Sequence, residues 1–277
     1  MPSFPMTSNQ ESQSMKDETD FDGAPSVLQR IPKIIRHKGW RGFLIQSKRY
    51  AASRAFGGLR ARYAYPRFKR RIASLTGIDD ALDFLYSFRP AGVSISPYQH
   101  RQEIEGLARR VQEIKPDRVV EIGTGGGGSL FLFCLVSSPD ATLVSVDLPP
   151  SFIGRGYPKW RESIYESFAR GAQKISLIRG DSHDQRTLSL VRKAVADKSI
   201  DVLFIDGDHT YEGVKRDFEL YSPLVKSPGL VAFHDITPNL LDKEVEVPKF
   251  WNEICRNYRH EEIVFEGTEA GIGLLYL

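Results

Sequence analysis

Residues 119–129 read Val-Val-Glu-Ile-Gly-Thr-Gly-Gly-Gly-Gly-Ser, a string that few folds accommodate. An apolar run of strand length enters a glycine-rich turn, and an apolar helical stretch follows. Glycines let the backbone adopt left-handed conformations and approach a ligand closely, and the helix leaves unpaired N–H donors at its start. This is the pattern of a nucleotide-type pocket at a strand end. Gly123, Gly125 and Gly128 also satisfy the dinucleotide spacing G-x-G-x-x-G, and Asp147 follows at about the distance of a ribose-binding acid. The string alone therefore leaves the nucleotide open.

With 277 residues, 41% of them hydrophobic, the chain has material for one sizeable core. Cys134 and Cys255 lie far apart in apolar helical patterns, which suits reduced core thiols and argues against a disulfide framework or a cysteine metal site. No apolar run approaches the roughly 18 residues of a membrane span. Residues 1–20 lack the basic start and apolar centre of a signal peptide. A soluble, cytoplasmic protein is the expectation.

The net charge of +3 conceals an asymmetry: residues 30–71 hold 14 Lys or Arg and no Asp or Glu. Such a block can face nucleic acid, anionic lipid or an acidic partner, or be a solvated helical hairpin or oligomer contact. Nothing resembles a nucleic-acid module. Trp40, Phe43, Tyr50, Phe56, Tyr63, Tyr65 and Phe68 interleave with the charges; such aromatics can stack on bases, pack on a domain or promote self-association.

Along the chain, 1–26 is polar, Pro-containing and poor in groups to bury, and is expected to be a disordered tail. Over 27–95, short amphipathic stretches interrupted at Gly39, Gly57-Gly58, Pro66 and Gly77 predict two or three helices forming a basic cap or interface. Ser96-Pro97 reads as a helix start. Strands are predicted at 118–122, 142–146, 175–178, 202–205 and 230–233, with helices at 130–136, 161–172, 188–196, 214–224 and 250–258 between or after them. Residues 151–160 suit a lid. The segments 262–265 and 272–277 are joined by a turn, so the sheet should end in an antiparallel hairpin. The fold class is thus α/β: a doubly wound, mostly parallel, seven-stranded Rossmann-like sheet at 96–277, with a helical N-terminal extension.

Polar residues end successive strands: Glu121, Asp147, Gly180-Asp181-Ser182, Asp206-Gly207-Asp208-His209 and His234-Asp235. One such carboxylate is commonly a helix cap. Parallel strands, however, bring all five ends to one rim, where ligands of such sheets bind.

Glu121-Ile122-Gly123-Thr124-Gly125, Asp147, Gly180-Asp181-Ser182 and the closing hairpin together resemble class I S-adenosylmethionine-dependent methyltransferases. Phe204-Ile205-Asp206-Gly207-Asp208-His209-Thr210-Tyr211-Glu212-Gly213-Val214, Tyr221-Ser222-Pro223-Leu224-Val225 and Phe233-His234-Asp235 are similar to the branch with cephalosporin-hydroxylase-like proteins and macrolide-sugar O-methyltransferases. The likeness covers about 97–277. It implies a cofactor set of Glu121, Gly123, Thr124, Gly125, Ser129, Asp147, Asp181 and Ser182. Gly123 and Gly125 would admit the amino-acid end of S-adenosylmethionine, with Glu121 supporting the loop or the ammonium. Asp147 would accept from the ribose hydroxyls, and Asp181 with Ser182 would face the adenine.

The resemblance also implies that Asp206 and Asp235 bind a divalent ion such as Mg or Mn and that His209 is the general base. The sugar enzymes carry a carboxylate just before the second Asp. This chain has His234 there, a candidate third ligand that would move preference toward Mn, Fe or Zn. The implied function is O-methylation of a sugar or other small polyhydroxylated acceptor, with or without metal. The alternatives are a nucleic-acid-associated protein anchored by the basic block, or a non-catalytic cofactor-binding scaffold. A hydride-transferring dinucleotide enzyme fits less well, because no second mononucleotide-binding half is evident and a closing antiparallel hairpin is not its usual ending.

Overall fold

The computed structural model describes residues 27–149, 156–239, 244–265, 267 and 270–277; the tail expected at 1–26 and the first half of the expected lid lie outside them. The chain divides into two compact units, Met1–Ser47 and Lys48–Leu277. In the first, the described residues 27–47 are helical. The second holds the sheet and every residue of the strand ends.

Helix α1 (Val27–Ile72) does not break at Gly39, Gly57-Gly58 or Pro66, contrary to the sequence expectation. Of the expected breaks, that at Gly77 is found: residues 73–77 separate α1 from α2 (Ile78–Ser87). At Gly57 and Pro66 the local costs, about 1 kcal/mol for a glycine and about 3 kcal/mol for a proline, are met by packing. Ala61, Ala64, Phe68 and Ile72 recur at helical spacing and are buried. Phe68 alone meets the rings of Phe84, Phe88, Phe131 and Phe168 at 5.2–6.1 Å. Gly57 is a packing residue: a Cβ there would fall 2.1 Å from Nε1 of Trp160, which donates to Ser53 Oγ at 3.2 Å.

The seven strands are β1 (Arg118–Ile122), β2 (Thr142–Asp147), β3 (Lys174–Arg179), β4 (Ile200–Ile205), β5 (Val225–His234), β6 (Arg259–Ile263) and β7 (Ile272–Tyr276). Their order is β3-β2-β1-β4-β5-β7-β6. The first five are parallel, and β7 pairs antiparallel with β5 and β6, so the sheet ends as the hairpin pattern predicts. Period-2 alternation assigns the faces. Val119, Leu143, Val202, Phe204, Leu230 and Ala232 join the core that includes α1 to α4. Val120, Val144, Leu203, Ile205, Val231 and Phe233 join the core of the opposite face.

The remaining helices are α3 (Arg101–Ile114), α4 (Gly128–Val136), α5 (Glu162–Glu166), α6 (Gln185–Ala194), α7 (Tyr211–Tyr221) and α8 (Val247–Ile254). Ser96 does not start α3. Its hydroxyl donates to the Leu85 carbonyl at 2.9 Å, and the helix begins four residues past Pro97, with Glu103 accepting from the His100 N–H at 3.2 Å. α5 is shorter than the helix predicted at 161–172, because Ser167, Phe168 and Ala169 tighten to i−3 carbonyls. Cys134 and Cys255 are buried free thiols. No helix among the described residues is long and apolar enough to cross a membrane.

Candidate functional site

Alternation places Glu121 on the same face as Val119, beneath α4, and strand register sets it opposite Ser145 of β2. Glu121 is fully buried. One carboxylate oxygen accepts from Ser129 Oγ at the start of α4, and the other from Ser145 Oγ at 2.7 Å. Ser145 also meets Thr124 Oγ1 at 2.5 Å. Burial pushes the Glu121 carboxyl up to about 8; the two serine hydroxyls oppose the shift, while Asp206 and Asp147 add to it. These four side chains bind the strand, the turn and the helix start into one rigid unit.

The turn itself is left-handed at Gly123 (φ 98°), Gly125 (φ 48°) and Gly127 (φ 85°). The Gly125 N–H donates to Asp147 Oδ2 at 3.0 Å, and the Leu148 N–H to Asp147 Oδ1 at 2.7 Å. Burial raises the Asp147 pKa, and those two N–H groups work against it. An ionised carboxylate offers about four acceptor positions, so Asp147 retains acceptor capacity beyond the turn it holds. Beside it, the Gly180 N–H donates to the Asp147 carbonyl at 2.9 Å, which sets the end of β3 next to the end of β2. Asp181 is exposed and accepts from the His183 N–H at 2.9 Å, while the Ser182 carbonyl accepts from Tyr221 OH at 2.8 Å.

The ends of β4 and β5 form a second group. Asp235 takes a left-handed backbone (φ 62°), which turns the chain sharply after His234 and lets both residues address the rim. His209 Nε2 lies 3.4 Å from Asp206 Oδ1, and its Nδ1 lies 3.4 Å from Asp235 Oδ2. His234 Nδ1 lies 3.2 Å from Asp206 Oδ1 and 3.3 Å from Asp235 Oδ1. Burial alone would raise Asp206, but the imidazoles of His234 and His209 outweigh it and hold the carboxyl at about 2. The Asp206 hydrogen bond raises the His209 pKa. Asp206, His209 and Asp235 present ligand atoms within 4.8 Å of one another. Two carboxylates and an imidazole at that separation suit a divalent cation. His209, its side chain 41% exposed, is the most open of the three.

The two groups adjoin. The Asp206 N–H donates to the Ile122 carbonyl at 2.8 Å, immediately before Gly123. The structure thus gathers Glu121, Gly123, Thr124, Gly125, Ser129 and Asp147 around the turn, and Asp206, His209, His234 and Asp235 next to it. Asp181 and Ser182 sit at the adjacent β3 end.

Several participants have no counterpart in the sequence reading. Gln99 Nε2 donates to Asp206 Oδ2 at 2.5 Å, and Tyr165 OH to the Gly125 carbonyl at 2.9 Å. Glu103, fully buried, accepts from the Gly271 N–H at 3.1 Å and stands 3.8 Å from His234 Nε2. Segment 95–98 lies against the glycine turn, the Ser96 carbonyl oxygen being 2.3 Å from where a Cβ on Gly126 would sit. Ser145 carries a readable signal, a hydroxyl inside an otherwise apolar strand; Gln99 and Glu103 carry none that points across the chain.

Residues 120–236 match a family model described as a methyltransferase domain. An uncharacterized protein of Sinorhizobium fredii is 29% identical over 175 residues, 59% of this chain and 19% of the relative. An uncharacterized protein of Acanthamoeba polyphaga mimivirus is 32% identical over 137 residues, 49% of this chain and 58% of the relative. The chain thus spans less than two thirds of the length of either curated relative. Among solved structures, cofactor-bound Rv0187 from MTB shares the fold, with a TM-score of 0.53 and 17% identity, covering 74% of this chain and 92% of that one. Residues 120–236 are thus similar to a methyltransferase domain, and they lie on a seven-stranded sheet with an antiparallel closing hairpin.

Proposed function

We propose that the chain transfers a methyl group from S-adenosylmethionine to a hydroxyl oxygen of a small polyhydroxylated acceptor such as a sugar. The observation that carries this reading is the contact between the Gly123 turn and the Asp206–His209–Asp235 group, a cofactor cradle against a cluster able to handle a hydroxyl proton. The residues suit the cofactor: the Gly123 and Gly125 turn would admit its amino-acid end, Thr124, Ser129 and Glu121 keep the turn rigid, and Asp147 has acceptor capacity left for a ribose diol. Asp181 and Ser182 stand where the adenine would follow. S-adenosylmethionine supplies an electrophilic sulfonium methyl: the acceptor oxygen forms a bond to that carbon as the carbon–sulfur bond breaks, and the hydroxyl proton must leave.

His209 takes that proton. Its imidazole is oriented by Asp206 and Asp235 and open enough to meet an incoming hydroxyl. The same carboxylates, with the adjoining imidazole of His234 as nitrogen donor, would hold a divalent cation, which would lower the hydroxyl pKa. Transfer of labelled methyl from S-adenosylmethionine into a panel of hydroxylated compounds tests the reading, with a chelator arm for the metal. Incorporation into a hydroxyl supports it; cofactor binding without incorporation into any hydroxyl favours a scaffold. Chelator-resistant incorporation removes the cation from the account and leaves His209 as base.

A further inference from the structure

The second half of α1 has two unlike faces. Gly57, Ala61, Ala64 and Phe68 recur at helical spacing and are buried. On the opposite side Phe56, Leu59 and Tyr63 recur at the same spacing and are 57%, 71% and 49% exposed. By helical phase the stripe is bordered by Arg60 and Arg67 on one flank and by Lys48 and Arg62 on the other, all exposed. Arg67 lays its guanidinium 3.6 Å from the Tyr63 ring centroid. At the end of the helix Arg67, Arg70, Arg71 and Ser74 line an open hollow. From Lys48 to Ile72 the sequence holds nine Lys or Arg and no acid.

We propose that this face docks on an anionic lipid bilayer, the Phe56–Leu59–Tyr63 stripe entering the interfacial zone and the flanking guanidinium groups meeting headgroup phosphates. An in-plane interfacial helix has this composition, a band of large apolar side chains edged by Lys and Arg. Charge selects the occupant. A second copy would set the nine positive charges of one helix against nine of the other. Nucleic acid would satisfy the arginines and stack on Phe56 or Tyr63, but would leave Leu59, the most exposed of the three, without a use.

The test is sedimentation of the full chain with vesicles of phosphatidylcholine, with and without phosphatidylserine. Sedimentation is expected only with the anionic vesicles. Charge reversal by Arg67→Glu, Arg70→Glu and Arg71→Glu together should weaken it at least about a hundredfold, on the scale of surface attraction per basic residue. Phe56→Ser, Leu59→Ser and Tyr63→Ser together should weaken it at least about tenfold through lost apolar insertion. Both variants should keep the wild-type melting temperature, since all six side chains are exposed. The proposal is overturned by absence of phosphatidylserine-dependent sedimentation, or by sedimentation that survives the serine variant unchanged, which would make the contact one of charge alone. A dimer dissolved by the serine variant, seen by sedimentation velocity, would also overturn it by assigning the face to a second copy.

Discussion

A Cβ on Gly123 would fall 2.0 Å from the main-chain oxygen of Asp206, so the turn after β1 and the end of β4 meet because position 123 has no side chain. Its backbone is also left-handed, with φ at 98°. Gly123→Ala should therefore cost on the order of 1–3 kcal/mol or more, through strain and displaced backbone. Denaturant melts should show a lower midpoint, and the variant should lose S-adenosylmethionine affinity because the turn and the end of β4 separate.

Gly57 and Gly58 are adjacent in one helix but should respond oppositely to alanine. At 57 a Cβ meets the Trp160 indole at 2.1 Å, whereas at 58 nothing lies within 4 Å. Gly57→Ala should destabilise by about 1–3 kcal/mol from overpacking. Gly58→Ala should stabilise by about 0.5–1 kcal/mol by lowering the entropy of the unfolded chain. Thermal denaturation of the pair, relative to wild type, checks both signs.

The fold was legible in sequence wherever the signal is local. Strands show as short apolar runs, and their polar terminal residues mark the rim from Glu121 to Asp235. What escaped depends on pairs far apart in the chain. Gly57 and Pro66 look like helix breakers until Trp160 and the aromatic cluster around Phe68 are seen against them. Ser96 looks like a cap until its hydroxyl is found on the Leu85 carbonyl. Gln99 and Glu103 reach Asp206 and the neighbourhood of His234 only because the chain before α3 lies along the glycine turn. Within the site, the glycine turn could be read from residue types and spacing, whereas the pairing of His209 with two carboxylates depends on the left-handed turn at Asp235.

Glu121 should make stability fall as pH rises. Its folded pKa, pushed up by burial, is about 8 against 4.5 for the free group. Across that window the folded state retains a proton that the unfolded chain releases, so each rise in pH favours unfolding. Glu121→Gln should flatten the slope and, at pH 8.5, gain up to a few kcal/mol over wild type. The amide can keep its partners because the Ser129 and Ser145 hydroxyls rotate to suit. Chemical denaturation at a series of pH values reads this directly. Equal slopes for variant and wild type would contradict the assignment.

His209→Ala should leave S-adenosylmethionine affinity nearly unchanged and lower kcat by about 10² to 10⁴. The Asp206 hydrogen bond raises the His209 pKa, so without bound metal the wild-type rate should climb with pH to above 6.5 as the imidazole becomes neutral. The alanine variant should lack that limb. Identical pH profiles would defeat the base role.

We assign the Gly123–Asp147 corner to S-adenosylmethionine, with Asp147 holding the ribose. Isothermal titration calorimetry on wild type and Asp147→Ala tests it most directly. Saturable binding by the wild type, lost or weakened at least about a hundredfold in the variant, is the predicted result, since removing an acceptor from charge-assisted bonds costs about 1.5–3 kcal/mol for each bond. No binding by the wild type, or equal affinity in the two proteins, would contradict it.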